Sequence, residues 1–402
     1  GKGEMMDWLS AIGRVADGVA AGGGRGVSGA RAMPGAADAE GLILPPDERI
    51  HYVYSTLAGV ERRAYEDICE AMIEGRPRAT VRGLTSSEEV FRVVRMVRAD
   101  HPEVHWLGRG ARLSARPGRA EVLLDRCDDA RSGDDRALLA AATAFKRSLP
   151  SSADEYLIAK AAFTHVAGGT RYDRATAGLD DSRSDAFMRP YEATGALVDH
   201  LAVCSGFAKA TQLLLQRCGI MAALLTGEAR AANGRDEAWG PHAWLAVRID
   251  GRFYHMDPTW TSMGRDDTGL TSDVCYDYFG LTDREIARTH RATSCPFTPP
   301  VCDSTMAEYY RREGLCLHAW DEARYADMVC RQLAAGGATA SVKAANEATY
   351  RKMVDRILHS GGWRKALRRV SAICGRTFAL DQVRFMTDSN LRTLTLLARE
   401  AA

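Results

Sequence analysis

The sequence lacks a hydrophobic segment long enough to cross a membrane. No apolar run among its 402 residues approaches the roughly 18 to 20 residues that a transmembrane helix requires. It also lacks an excess of either charge, since Lys and Arg number 53 against 52 for Asp and Glu. This balance favours neither a nucleic-acid-binding surface nor an acidic solvating tail. We therefore expect a soluble protein without a membrane span and without a nucleic-acid partner.

The ten cysteines are too few for a disulfide scaffold in a chain of this length, and none of them forms a CxxC pair. A structural zinc site is therefore not expected, and no cofactor or other metal site is predicted. No signal peptide is visible at Gly1, but a processed chain would start in the same way. Localisation stays open between the cytoplasm and the cell exterior, and no pattern indicates the oligomeric state.

The composition and the apolar spacing predict an α+β protein of several parts. Hydrophobic residues make up 46% and charged residues 26% of the chain, which is ordinary for a globular protein. The apolar spacing predicts helices through 54–73, 90–97, 322–333 and 347–359 and strands at 338–344 and 378–386. Glycines and a Pro-Gly pair predict hairpin-like strands within 104–124, and the polar segment 173–190 is expected to be a loop. The expected parts are an N-terminal helix with a Gly/Ala-rich linker at 1–47, a small α+β domain at 48–130, a core at 136–300 and a C-terminal α+β domain at 303–402.

One cysteine lies where its thiol is chemically favoured. A helix is predicted from Cys204 to Cys218 because apolar residues recur along one face and Gly219 follows. The partial positive charge of the unpaired N–H groups in the first turn lowers a thiol pKa. Gly206 is expected to leave room for a substrate beside the sulfur. A buried structural cysteine is the alternative interpretation.

A predicted hairpin brings a histidine and a carboxylate together. Two alternating segments flank Asp250-Gly251, a pair typical of the two-residue type I′ turn. This turn sets Trp244 opposite Asp257 and makes His242 the diagonal neighbour of Asp257 on the same face. The sequence thus places a carboxylate within reach of an imidazole.

Each of these residues has an alternative role. His242 also fits a surface position of a strand, and Asp257 before Pro258 also fits the start of a turn. His255 shares the face of Asp257 and competes for the role of base. It lies nearer the turn and farther from the strand end that Cys204 can approach, so we favour His242.

Taken together, the motifs resemble the transglutaminase-like superfamily, in particular its bacterial branch of papain-like thiol enzymes. The resemblance covers roughly residues 50–315 and is strongest at 197–290. The matching motifs are VCSGFA at 203–208, GI at 219–220, HAW at 242–244 and DGRFYHMDPTW at 250–260, with YFGLTDREI at 278–286, His290, DHPE at 100–103 and Trp106 farther out.

The resemblance implies a papain-like core in which the cysteine-bearing helix packs on an antiparallel sheet that carries the histidine and the aspartate. It implies Cys204 as nucleophile, His242 as general base and then acid, and Asp257 as the orienting carboxylate. The expected reaction is acyl transfer on an amide of a protein or peptide through a thioester, with hydrolysis favoured. A glutamine transglutaminase and a catalytically silent binding module are the alternatives.

One departure from the family pattern concerns the oxyanion hole. Relatives often carry a Gln before the cysteine that helps to bind the oxyanion, but this chain has no Gln before Gln212. The hydroxyl of Tyr191 is the expected substitute, beside the backbone N–H of Cys204. The other candidates for lining the site are Ser205, Gly206, Trp244 and Trp260, although core packing is the favoured role of the two tryptophans.

Overall fold

The computed structural model confirms the predicted α+β class, with helices and antiparallel sheets in successive regions. The helix and linker expected before residue 41 lie outside the described residues, as does 178–187 of a loop predicted at 173–190. In the described part of the chain, no helix combines the length and the apolar character that crossing a bilayer demands. The structure describes residues 41–84, 86–107, 112–116, 118–124, 129–177, 188–230, 238–261 and 274–401.

The first region packs helices on a three-stranded antiparallel sheet. Its apolar side chains between Val53 and Leu124 form one hydrophobic cluster. The sheet order is β1-β3-β2, and the strands predicted within 104–124 are the hairpin of β2 and β3. The elements are α1 (Tyr52–Thr56), α2 (Gly59–Ile73), β1 (Arg78–Arg82), α3 (Ser87–Asp100), β2 (Arg112–Arg116) and β3 (Arg119–Leu123).

Helix α3 is amphipathic, and its polar face carries three arginines. Ser86 caps its N-terminus in a capping box with Glu89. The valines at helical spacing, Val90, Val93, Val94 and Val97, are buried in the first cluster. Their burial leaves Arg92, Arg95 and Arg98, each three residues apart, on the other side of the helix.

The second region contains a five-stranded antiparallel sheet in the order β10-β6-β7-β8-β9. Its main cluster of apolar side chains runs from Leu138 to Ala307. The elements are α4 (Asp129–Ser148), α5 (Glu155–Gly169), β4 (Arg171–Tyr172), α6 (Ala193–Leu197), β5 (Leu201–Ala202), α7 (Cys204–Arg217), β6 (Ala222–Ala229), β7 (Gly240–Ile249), β8 (Arg252–Met256), β9 (Phe279–Leu281), α8 (Asp283–Ile286) and β10 (His290–Arg291).

The β7–β8 hairpin has the predicted register. Asp250 and Gly251 adopt φ values of 49° and 77°, the two positive values that a type I′ turn requires. Ile249 pairs with Arg252, and the ladder continues regularly to the end of β8. The turn chemistry therefore decides which side chains of the two strands share a face.

Both faces of this sheet are covered. Helix α7 packs on the face formed by Leu245 and Val247. On the other face Trp244 and Ala246 belong to a second, smaller cluster with Cys302. Because neither face meets water, β7 is buried along most of its length and shows no alternation of burial.

The third region forms a four-stranded sheet in the order β11-β12-β14-β13, with a cluster from Tyr310 to Ala398. The buried Lys343 of β12 reaches back to the second region, where its Nζ lies 3.0 Å from Glu285 Oε1 and 3.3 Å from Glu308 Oε1. The elements are α9 (Tyr309–Arg312), β11 (Cys316–Leu317), α10 (Glu322–Ala334), β12 (Thr339–Ala344), α11 (Glu347–Val354), α12 (Trp363–Cys374), β13 (Arg384–Asp388) and β14 (Thr393–Leu397).

The local predictions for this region were partly wrong. The helix expected at 347–359 has the predicted extent, although its last turn, Asp355–His359, is π-helical. The strand expected at 378–386 begins only at Arg384, after a 3₁₀ turn. Helix α12 and strand β14 were not predicted. Strand β14 lies between β12 and β13 and pairs with both, an arrangement that no local pattern contains, and β13 forms one edge of the sheet.

Two buried glutamines tie α7 to the first region. Gln212 donates from Nε2 to the carbonyls of Ala99 (2.7 Å) and Ala222 (2.9 Å). Gln216 donates from Nε2 to the carbonyl of Asp100 at 2.8 Å. Since the carbonyls of Ala99 and Asp100 end helix α3, the bonds to them fix α3 against the helix that begins at Cys204.

We predict that Gln216→Leu lowers the free energy of unfolding by about 1–3 kcal/mol, because the buried carbonyl of Asp100 loses its donor. Urea unfolding followed by fluorescence measures the effect. The control is Gln382→Leu at an exposed position, which we expect to change stability by about 0.5 kcal/mol or less. Equal stability of the two variants would contradict the role given to this bond.

Candidate active site

Cys204 is the first residue of α7, and the backbone before it fixes its position. Val203 N–H donates to the carbonyl of Pro190 at 2.9 Å. A Cβ on Gly206 would lie 2.4 Å from that same carbonyl oxygen and 2.8 Å from the Cβ of Ala202. The expectation that Gly206 makes room for substrate was therefore wrong. The missing side chain instead lets the first turn of the helix pack directly on the backbone at 190–192.

His242 and Asp257 are in direct contact. His242 Nε2 lies 2.7 Å from Asp257 Oδ2, as their predicted places on one face of the hairpin allow. Asp257 directly follows β8, and its own N–H donates to the carbonyl of Tyr278 at 2.9 Å. Its Oδ1 accepts from the N–H of Thr259 at 2.8 Å. The carboxylate is thus held rigidly behind the imidazole.

The thiol of Cys204 completes a row with these two residues. Its thiol lies close enough to His242 and to the backbone N–H of Ala243 for both to lower its pKa, and thiol and imidazole line the same cleft. Because Nε2 of His242 is bonded to Asp257, Nδ1 is the ring nitrogen left for the sulfur. This is the arrangement in which an imidazole, oriented by a carboxylate, can exchange a proton with a thiol.

The electrostatics of the row favour charge separation. Burial raises the pKa of the Cys204 thiol, but the His242 imidazole and the Ala243 N–H outweigh burial and lower it overall. Burial opposes a charge on His242 as well, yet the Asp257 carboxylate and the Cys204 thiolate raise its pKa to about 10. Despite burial, the pKa of Asp257 is depressed because two histidines donate to it. A thiolate–imidazolium pair is the resting state that these shifts favour.

A second histidine, His290, supports the carboxylate and was not among the predicted site residues. Its Nε2 lies 3.0 Å from Asp257 Oδ2, and its Nδ1 lies 2.8 Å from Thr289 Oγ1. Burial lowers the pKa of His290 to about 4, although Asp257 partly offsets the effect. The ring is therefore neutral at pH 7 and donates its Nε2–H to Asp257. His290 stood in a family-like motif, but only the pairing of β10 with β6 brings it here.

The two predicted tryptophans surround the imidazole from the protein interior. Trp244 is buried and stacks on His242, with ring centroids 6.2 Å apart and planes inclined by 20°. Trp260 lies with its ring centroid 5.2 Å from that of His242 and 4.6 Å from that of His290. Rings on these sides restrict the imidazole and supply π-faces that favour its protonated form.

His255, the competing base, has a different place. Its Nδ1 accepts from Trp244 Nε1 at 3.1 Å, and its Nε2 lies 2.8 Å from Asp283 Oδ1. Both ring nitrogens are therefore engaged on the face of the sheet that packs against Cys302. The chain from Asp283 through His255 holds the indole on which His242 stacks.

Two groups of side chains in the described residues have the spacing of metal ligands. The first group is His242, Asp257 and His290. An ion bound there would replace the two hydrogen bonds that Asp257 Oδ2 accepts and would leave a proton on His242 Nδ1, so that the ring could not accept one from Cys204.

The second group is His255, Asp283 and Cys302. His255 carries its proton on Nε2, because its Nδ1 accepts from Trp244. Hydrogen bonds thus account for both groups.

The thiol and the imidazole open onto a cleft of about 910 Å³. One wall comes from α3 of the first region, and the other walls come from the second region. Trp244 and Trp260 are not among the described residues that line it. These lining residues are Arg95, Arg98, Ala99, Tyr172, Ala177, Tyr191, Val203, Cys204, Ser205, Lys209, Leu224, Thr226, Gly227, Pro241, His242, Ala243, Ser294 and Pro296.

Two tyrosines in the cleft differ in what their hydroxyls do. Tyr191, the expected oxyanion donor, donates to the carbonyl of Thr176 at 3.2 Å. Ser205 Oγ donates to the carbonyl of Tyr191 at 2.9 Å and so fixes that segment. The hydroxyl of Tyr172 has no hydrogen-bond partner among the described residues. Burial, and then the nearby charges of Cys204 and Asp257, raise the pKa of its hydroxyl, which therefore keeps its proton.

A helix that begins with a cysteine therefore packs against an antiparallel sheet that carries a histidine and ends in an aspartate. Residues 143–258, which contain all three side chains, match the family model of the transglutaminase-like superfamily. This part of the chain is therefore a transglutaminase-like core, as the sequence motifs implied. No curated protein matches the chain.

Solved structures give weaker matches. One is a TGase, at 18% identity and a TM-score of 0.27, covering 38% of this chain and 44% of that one. Another is a candidate cysteine protease from Cytophaga hutchinsonii, at 20% identity and a TM-score of 0.23, covering 34% of this chain and 44% of that one. The chain thus spans less than half the length of these structures.

We predict that iodoacetamide alkylates Cys204 with a pH midpoint below the roughly 8.5 of a free thiol. Because the thiol pKa is lowered, the thiolate persists to lower pH than in a free cysteine and is lost as the pH falls through that lowered pKa. In His242→Ala the midpoint should rise above the free-thiol value, since burial remains and the imidazole is gone. Peptide mass spectrometry measures both rates.

The control is Cys218 in the same protein, since burial raises the pKa of its thiol. A Cys204 that titrates together with Cys218, or that is unaffected by His242→Ala, would refute the ion pair.

Proposed function

We propose that this chain is a thiol hydrolase that cleaves an amide or peptide bond of a protein or peptide through a thioester. The observation that carries the proposal is that Cys204 and His242 line the same open cleft, that the imidazole lowers the pKa of the thiol, and that His242 is bonded to Asp257. The family match at 143–258 supports cysteine-dependent acyl transfer as the class of chemistry.

The first half of the proposed reaction forms the thioester. The Cys204 thiolate attacks the carbonyl carbon of the amide, and the electron pair of the C=O moves to the oxygen. As the carbonyl re-forms, the C–N bond breaks, and the Nδ1–H of His242 protonates the departing amine. Asp257 stabilises the imidazolium before this step and keeps Nε2 protonated after it.

The second half releases the acid. His242, now neutral, takes a proton from water at Nδ1 while the water oxygen attacks the thioester carbonyl. The C–S bond breaks, the thiolate of Cys204 leaves, and the resting ion pair is restored. Water has direct access through the cleft, which favours hydrolysis over transfer to an amine, because amine transfer requires a site that excludes water.

A peptide library incubated with and without a primary amine tests this function. We expect cleaved or deamidated peptides in both incubations, detected by mass spectrometry, and no product with Cys204→Ala. The matched control is Cys218→Ala, which removes another partly exposed thiol, at the C-cap of the same helix, and should keep full activity. Amine adducts as the main product would identify a transglutaminase instead, and the absence of any product would indicate a binding module.

We also propose that the Tyr172 hydroxyl and the backbone N–H of Cys204 stabilise the oxyanion. Tyr172 lies in β4, which pairs with β5 so that Tyr172 is opposite Ala202, two residues before the nucleophile. Its hydroxyl is protonated and lines the cleft, whereas the hydroxyl of Tyr191 is bonded to the backbone of Thr176. Because no acceptor for the Tyr172 hydroxyl lies in the described part of the chain, this donor is free to bind the negative charge that develops on the carbonyl oxygen.

Tyr172→Phe should lower kcat by about 10- to 100-fold with little change in KM. This loss of kcat is at or below the one typical of removing a single oxyanion donor. Tyr191→Phe is the matched control and should lower kcat less than threefold. The rate of Cys204 alkylation should be unchanged in both variants, because alkylation forms no oxyanion. A larger loss of kcat in Tyr191→Phe would restore Tyr191 as the donor.

A further inference from the structure

One wall of the cleft comes from a helix outside the segment that matches the family model. Arg95 and Arg98 of α3 line the cleft with Cys204 and His242, whereas the match begins at residue 143. Because Gln212 and Gln216 bond to the last carbonyls of α3, this wall has a fixed place relative to the nucleophile.

A buried ion cluster orients two cations at the same wall. The carboxylate of Glu192 is buried and pairs through Oε2 with Lys209. Its Oε1 lies 3.5 Å from Arg98. Holding Lys209 and Arg98 on one carboxylate limits their rotamers, so they offer a fixed rather than a mobile positive field to the cleft.

Arg95 differs from the other arginines of α3. Arg92, one turn earlier, pairs with Glu61 and does not line the cleft. Arg95 is exposed and has no ion-pair partner in the described part of the chain. The described lining residues also include no Asp or Glu. Among the described residues, no carboxylate pairs with this guanidinium at the cleft, and guanidinium groups pair with carboxylates in a bidentate geometry.

We propose that the cleft selects acyl donors that carry a carboxylate close to the reacting amide, and that Arg95 binds this carboxylate. The proposal rests on the proposed hydrolase function and names its substrate class. An acidic side chain beside the reacting residue and the free C-terminal carboxylate of a short peptide supply the same chemistry. The experiment below distinguishes these two sources.

The first test needs no turnover. Cys204 is alkylated with iodoacetate, an anion, and with iodoacetamide, its neutral analogue, and the ratio of the two rates is measured by mass spectrometry. Arg95→Gln should lower the ratio about two- to fivefold, the range for an exposed ion pair, and salt should reduce the difference. Arg92→Gln is the matched control on the same helix and should leave the ratio unchanged. Equal ratios in the two variants would overturn the proposal.

The second test uses three peptides of one sequence in competition. The first has a neutral neighbour and a C-terminal amide, the second has Glu as that neighbour, and the third has the neutral neighbour and a free C-terminal carboxylate. We expect kcat/KM to be two- to fivefold higher for the second or the third peptide than for the first. This preference should be lost in Arg95→Gln and kept in Arg92→Gln.

Preference for the second peptide identifies an acidic side chain as the ligand, and preference for the third identifies a C-terminal carboxylate. Equal cleavage of all three by the unmodified protein would overturn the proposal while leaving the hydrolase function intact. If no peptide is cleaved, the hydrolase function fails, and the alkylation ratio alone decides whether Arg95 recognises an anion.

Discussion

The site depends on a single buried charge, the carboxylate of Asp257. A carboxylate without contact with water is costly unless hydrogen bonds replace its hydration, and here His242, His290 and the Thr259 N–H supply them. These bonds keep the carboxylate ionised and fix the tautomer of His242. Since Nε2 of that ring is committed to Asp257, Nδ1 is presented to Cys204. The hydrogen bonds to Asp257 therefore determine which nitrogen of His242 is available for proton exchange with the thiol.

Much of this arrangement could be predicted from the sequence because short-range rules control it. The Asp250-Gly251 turn determines the register of β7 and β8, and the register determines that His242 and Asp257 share a face. The start of α7 at Cys204 follows from its apolar spacing and from the glycine after its end. These features lie within a few residues of the signal that encodes them, so no knowledge of the tertiary fold was needed.

The features that were missed depend on contacts distant in sequence. His290 reaches Asp257 only because β10 lies next to β6 at one edge of the sheet, a pairing that no local pattern encodes. Gly206 was given the wrong role because the backbone it packs against, at 190–192, belongs to another element. Likewise, α3 was recognisable as a helix, but its place beside the thiol results from hydrogen bonds made by two glutamines of α7. The position of a residue within its helix or strand was predictable from the sequence, whereas the helices and strands that pack beside that element were not.

Helix α3 has a consequence for how this protein can diverge. The thiol and imidazole proposed to react with the substrate lie in the stretch that matches the family model, whereas the arginines on the facing wall are encoded well upstream of it. Substitutions at the exposed positions of that upstream helix leave the thiol, the imidazole and their hydrogen bonds untouched. The residues proposed to select the substrate and those proposed to react with it can thus change independently of each other. Homologues with the same core motifs can therefore act on different substrates.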